Sequence, residues 1–177
     1  MKALFVCDGR LRHFADSSLQ RNGQPWFMPD ISKEWVTIVC PGIKITRLGT
    51  HIAAKFAGRY YESICAVTLF LPAREAVNPS EAPERFFVSD SAYCIGEGVT
   101  VGEKEQLHEI NVGEKSLKFS SDSLGVDTAI SDISKFVTLK IGDVIIFGDE
   151  RMDLSVAEGD RLEVAIDGER AIELRIK

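Results

Sequence analysis

The sequence lacks most of the patterns that announce a chemistry. It contains no H-E-x-x-H, no G-x-S-x-G elbow, no Walker loop and no G-x-G-x-x-G. The common zinc-hydrolase, serine-hydrolase and nucleotide-binding readings therefore have nothing to rest on. Its four cysteines, Cys7, Cys40, Cys65 and Cys94, lie far apart with no C-x-x-C. That spacing suits buried small hydrophobes in a reducing compartment better than a disulfide frame or a zinc cage. No apolar run approaches the ~20 residues of a membrane span, and the apolar start gives way to Asp8-Gly9-Arg10 too soon for a signal peptide. Basic residues are outnumbered 21 to 27, for a net charge of −6, so a broad nucleic-acid surface is not expected. These absences point to a soluble, cytoplasmic chain with no membrane and no nucleic-acid partner.

What is present suits one β-rich domain over residues 1–177. The chain is 45% hydrophobic and 27% charged, enough to build a core at this length. Residues 2–7 read as a strand closed by Asp8-Gly9, and residues 11–23 as loop or frayed helix. Residues 35–40 form a strand that Pro41-Gly42 should stop, with Ile43 and Ile45 resuming it. Thr50 is placed to cap a helix presenting Ile52, Ala53 and Phe56, which Gly58 ends. The apolar run 64–71 reads as a buried strand, and 72–85, with Pro72, Pro79 and Pro83, as a connector. Residues 109–112 and 116–119 flank a hairpin turn. Asp127 is placed to cap a second helix, in which Ile130, Ile133 and Phe136 recur every three residues and should pack on the strand 144–147. Leu162, Val164 and Ile166, then Asp167-Gly168, then Ile172, Leu174 and Ile176 form the strongest local signal, a hairpin with a type I′ turn.

Taken singly, the polar residues suggest little chemistry. His13, His51 and His108 have no metal-ligand spacing, and His51 reads as a surface residue. Gly96, Gly98 and Gly102 read as turn glycines. Cys40 and Cys94 have no basic neighbour in sequence to activate a thiol. Asp90, in Val88-Ser89-Asp90-Ser91, reads as a turn residue.

Longer stretches carry more. Residues 130–148, Ile-Ser-Asp-Ile-Ser-Lys-Phe-Val-Thr-Leu-Lys-Ile-Gly-Asp-Val-Ile-Ile-Phe-Gly, resemble the closing segment of the fumarylacetoacetate hydrolase family. There a short helix leads into "tL-x-pGD-x-I-x-tGTP". Residues 44–61 resemble the segment after that family's metal-binding strand. Val6-Cys7-Asp8-Gly9-Arg10 is similar to its "GrNY…H", and residues 22–30 to its "P-x-F-x-x-P-D". The resemblance implies an α+β, β-rich fold, a fumarylacetoacetate-hydrolase-like mixed β-sheet roll or sandwich with two short helices. It also implies hydrolase or isomerase chemistry on 2-oxo or diketo acids, and dimeric assembly. The family holds magnesium or manganese with an E-x-E pair, whose same-facing side chains grip one hard cation, plus further aspartates.

Residue by residue, the resemblance implies loss of that site. The E-x-E positions fall on Ile38 and Cys40, neither a ligand for a hard cation. Asp90 takes the aspartate position and is the one family metal ligand retained, while the lysine position is Phe87. Gly-Thr-Pro becomes Gly148-Asp149-Glu150. The asparagine and tyrosine positions are Leu11 and Arg12, and the catalytic histidine falls on Ala15, two residues from His13. The expectation is a cofactor-free, non-catalytic binding or structural subunit, a homodimer or the companion of a catalytic relative. One alternative is a metal-dependent hydrolase or isomerase with a rearranged site, in which Glu62, Glu97 or Asp149 joins Asp90 around Mg²⁺ or Mn²⁺. Another is an unrelated small β-rich binding module.

Overall fold

The computed structural model describes residues 1–177. Twelve strands form two sheets, joined by four short helices. The strands are β1 (Ala3–Cys7), β2 (Arg10–Phe14), β3 (Leu19–Gln20), β4 (Trp35–Ile45), β5 (Tyr61–Pro72), β6 (Tyr93–Thr100), β7 (His108–Val112), β8 (Lys115–Phe119), β9 (Val144–Phe147), β10 (Met152–Val156), β11 (Arg161–Ile166) and β12 (Glu169–Arg175). The helices are α1 (Ala54–Ala57), α2 (Ala73–Ala76), α3 (Arg85–Val88) and α4 (Val126–Ile133). The larger sheet runs β2-β1-β9-β4-β5-β6-β3, with β10 also on β4; the smaller runs β12-β11-β7-β8. The larger is mixed, because β1 pairs β9 and β3 pairs β6 in parallel.

Long strands here follow long apolar runs. β5 is buried from Ile64 to Pro72, as a central strand covered on both faces must be. β4 continues through Pro41-Gly42, which the sequence reading took as a stop. The reason lies in the neighbours. β10 leaves β4 at Val39 and β9 joins at Gly42, so Pro41 sits in the gap and costs no ladder bond on that side. Residues 11–23 also differ from expectation. They supply β2 and β3 and a 3-10 turn between them, because β2 folds back on β1 through the left-handed Asp8 and Gly9.

Four short helices replace the two expected. Thr50 caps none of them. Its hydroxyl donates to the Ser134 carbonyl at 3.2 Å, and α1 starts only after Ala53. α4 begins at a left-handed Gly125, with Asp127 inside its first turn, and ends at Ile133. Ile133 is buried but Phe136, beyond the helix end, is 87% exposed, so the expected packing of Phe136 on β9 does not occur. Gly96 and Gly98 lie within β6, not in a turn. A Cβ on Gly96 would meet Ile172 Cγ1 at 2.9 Å and Ala171 at 3.0 Å, so glycine there lets the two sheets approach.

Each face of the larger sheet has its own core. One face (Trp35, Val39, Ile43, Ile64, Phe70) packs against β7, β8, β11 and β12. The other (Phe5, Cys7, Ile38, Cys40, Val67) is covered by Phe86, Phe87 and the segment 73–92. Trp26 fastens residues 21–34 to this frame. Its ring stacks on Phe70 at 4.2 Å, its indole N–H donates to the Ser91 carbonyl at 2.9 Å, and its backbone N–H to Arg175 at 2.8 Å.

Candidate functional site

β1 and β9 lie side by side in parallel, with Val6 opposite Phe147. Their C-terminal ends therefore place Cys7-Asp8 beside Gly148-Asp149. Asp8 donates its backbone N–H to Asp149 Oδ1 at 2.8 Å, and Ser80 Oγ donates to Asp8 Oδ2 at 3.0 Å. Cys7 Sγ lies 3.7 Å from the same Asp8 oxygen. Glycine is required at 148, since a Cβ there would run into the Phe5 ring. Arg151 braces the turn by donating to the Gly148 carbonyl at 3.0 Å, with its Nε 3.3 Å from Asp153 Oδ1. Cys7, Asp8 and Asp149 form the one group of three His, Cys, Asp or Glu residues whose ligand atoms all lie within 4.8 Å.

The electrostatics of this corner are acidic. Burial pushes the Cys7 thiol up to about 12, and the charges of Asp149 and Asp8 push the same way against Arg151. Cys7 is thus a thiol at neutral pH and not an activated nucleophile. The two aspartates are exposed and offer oxygens that a hard cation accepts.

The resemblance-implied positions converge on the face behind this corner, where apolar side chains fill the space. Ile38 and Cys40 point to one side of β4 and are fully buried. Phe87, at the lysine position, packs its ring 6.1 Å from Phe5 and 5.1 Å from Phe14, and Phe14 lies 4.7 Å from Tyr93. Burial raises the Cys40 thiol above its ordinary range, with Cys65 and Cys7 nearby adding to it. A divalent cation needs several oxygen ligands at this spot, and Ile38, Cys40 and Phe87 provide none. The residues at these positions do not fit the metal that the resemblance implies.

The remaining sequence candidates scatter. Asp90 is exposed in the turn after α3 and belongs to no group of three ligands. Glu62 and Glu97 are exposed on β5 and β6 and join no such group either. Leu11 and Arg12 lie on β2; Arg12 donates twice to the Ser80 carbonyl, at 3.0 and 3.2 Å, and its guanidinium sits 5.7 Å over the Phe87 ring. His13 and His51 are exposed. His108, 1% exposed, pairs through Nδ1 with Asp167 Oδ2 at 2.7 Å, which ties β7 to the β11–β12 turn. The sequence reading did not foresee that pair, nor the meeting of Cys7 and Asp8 with Asp149 across 141 positions. Only the parallel pairing of the first strand with the ninth, which no local pattern encodes, brings the latter together.

No sequence-family model matches the chain, and no curated protein matches it in sequence. Solved structures do. A 5-carboxymethyl-2-hydroxymuconate delta-isomerase from Mycobacterium smegmatis superposes with a TM-score of 0.80 at 14% identity, covering 99% of this chain and 78% of that one. A fumarylpyruvate hydrolase from Pseudomonas aeruginosa, solved with Mn²⁺ and pyruvate, gives 0.78 at 14% identity over 99% and 89%. A fumarylacetoacetate hydrolase family protein from Yersinia pestis gives 0.78 at 15% over 99% and 92%. The chain has the fold of the fumarylacetoacetate hydrolase family. Within that fold it is similar to isomerases and hydrolases whose sequences it barely shares.

Proposed function

We propose that the chain is a non-catalytic protein on this fold, a binding or structural subunit that assembles with its own kind or with a catalytic relative. The observation that carries the reading is the convergence of Ile38, Cys40 and Phe87 with Phe5 and Phe14 into one dry, apolar cluster. A hard cation and an anionic oxo-acid both need polar partners, and inserting either there would bury charge without compensation. The four cysteines, all free and buried, suit the reducing cytoplasm. The test is turnover of a panel of acylpyruvates and hydroxymuconate-type diacids with Mg²⁺ or Mn²⁺, followed by loss of enol absorbance. No turnover above the metal-only rate is expected; saturable turnover would overturn the reading.

One observation favours a second reading. Asp8 and Asp149 approach each other at the ends of β1 and β9, in two of the segments that carry the resemblance. A hydrolase or isomerase working from this corner would depend on both carboxylates, so Asp149→Asn would abolish any Mn²⁺ binding and any activity together. Activity that survives Asp149→Asn would exclude the corner.

A further inference from the structure

The 27 acidic and 21 basic residues are not mixed evenly over the chain. Residues 44–60 and 134–142 contain six basic residues and no acidic one, and the fold brings these two stretches together. The loop between β4 and β5 is closed at its base by Thr46, whose N–H donates to the Tyr60 carbonyl at 2.8 Å. Against it lies the segment joining α4 to β9. Gly49 and Leu139 exchange backbone hydrogen bonds at 3.0 and 2.9 Å, and His51 donates its N–H to the Ser134 carbonyl at 2.8 Å. This antiparallel bridge sets Arg47-Leu48 alongside Lys140-Ile141. Two cations and two aliphatic side chains therefore share one ridge, with Leu48 67% and Ile141 73% exposed. Phe136, two residues from Ser134, is 87% exposed beside it. On α1, Phe56 is 43% exposed between Lys55 and Arg59, each with its cation 5.0 Å from the ring centroid. Arg47, Lys55, Arg59 and Lys140 are exposed and take part in none of the chain's ion pairs.

We propose that this end of the molecule docks on an anionic lipid surface. Leu48, Phe136 and Ile141 enter the interface, while Arg47, Lys55, Arg59 and Lys140 face the phosphate and carboxylate headgroups. A lone exposed apolar residue needs no explanation, but a contiguous group does. Unpaired cations among large apolar side chains are the composition of an interfacial membrane contact, in which apolar burial and headgroup attraction add. Other anionic partners suit the ridge less well. A nucleic acid stacks its bases on rings, and Leu48 and Ile141 have none. A protein contact gathers its apolar anchors in a central pocket, whereas here cations and apolar side chains alternate. No helix is long and apolar enough to cross a membrane, so the contact is peripheral. The expectation of no membrane partner rests on the missing span and the net charge of −6, and neither speaks to a local basic ridge. This inference goes beyond the proposed function and holds whether or not the chain is catalytic.

The test is co-sedimentation of the full chain with vesicles of phosphatidylcholine, alone or in equal parts with phosphatidylserine. Binding is expected only to the mixed vesicles, weakening as salt rises above about 0.15 M, where the screening length is already about 8 Å. Lys55→Gln with Arg59→Gln should lower the affinity roughly 25-fold, at about fivefold for each cation near the surface. Leu48→Ser with Ile141→Ser should lower it about tenfold or more, since two large side chains then no longer leave water. Both pairs lie at exposed positions, so melting temperatures should not move. Leu48→Trp adds a reporter to a chain whose Trp26 and Trp35 are buried, and its emission should shift to the blue on mixed vesicles. No binding to mixed vesicles at low salt would overturn the proposal, as would binding that neither double substitution weakens. Binding that needs the cations but not Leu48 and Ile141, with no blue shift and equal capture by soluble heparin, would make the ridge a site for an acidic macromolecule and likewise overturn it.

Discussion

Asp143 shows how one side chain can hold three pieces of backbone. Its carboxylate, 2% exposed, pairs with Lys2 Nζ at 2.6 Å and accepts the N–H groups of Lys2 at 2.7 Å and Lys140 at 2.8 Å. Burial alone would raise its pKa, but these three partners outweigh burial and hold it below the ordinary 3.8. A carboxyl depressed on folding stabilises fully above its unfolded value, and that stability drains away as pH falls through its folded value. Denaturant titrations should therefore show stability falling below about pH 4, and Asp143→Asn should flatten that fall. At pH 7 the same substitution leaves the half-buried Lys2 without its counter-charge and should cost about 1–3 kcal/mol, the range for hydrogen bonds to a charged group. A pH profile identical in wild type and Asp143→Asn would show that the carboxylate is not the anchor. The charge that holds the turn before β9 comes from Lys2, far away in the chain.

At the scale of elements, local patterns were legible where both partners lie close in sequence. The β7–β8 and β11–β12 hairpins formed as their turns and alternation dictated, with Asp167 and Gly168 both left-handed. Patterns failed where a distant element decided. Pro41 was a stop by composition and is strand interior because two different strands abut β4 on either side of it. Thr50 was a cap by type, but Ser134 takes its hydroxyl. Gly96 was a turn glycine by type and is a point of close approach between sheets. That last reading is open to test: Gly96→Val would drive side-chain atoms into Ile172 and Ala171 and should destabilise by about 2–3 kcal/mol, as overpacked cores do. A Gly96→Val protein as stable as wild type would mean the two sheets are not in contact there.

For the molecule as a whole, the fold was readable from motifs that survive in order along the chain, and structures with 14–15% identity superpose on 99% of it. The site was readable only in outline. The resemblance singled out Ile38, Cys40 and Phe87 one at a time. Their meeting with Phe5 and Phe14 in one cluster depends on β1, β4 and α3 being brought together by the sheet. The acidic corner at Asp8 and Asp149 escaped the sequence reading for the same reason. The proposed non-catalytic role requires that this fold, in this chain, hold no catalytic cation. Calorimetric titration with Mg²⁺ and Mn²⁺, with and without oxalate as an oxo-acid mimic, tests it most directly. No heat of binding in any combination is the expected result, while micromolar metal binding that tightens with oxalate would contradict it.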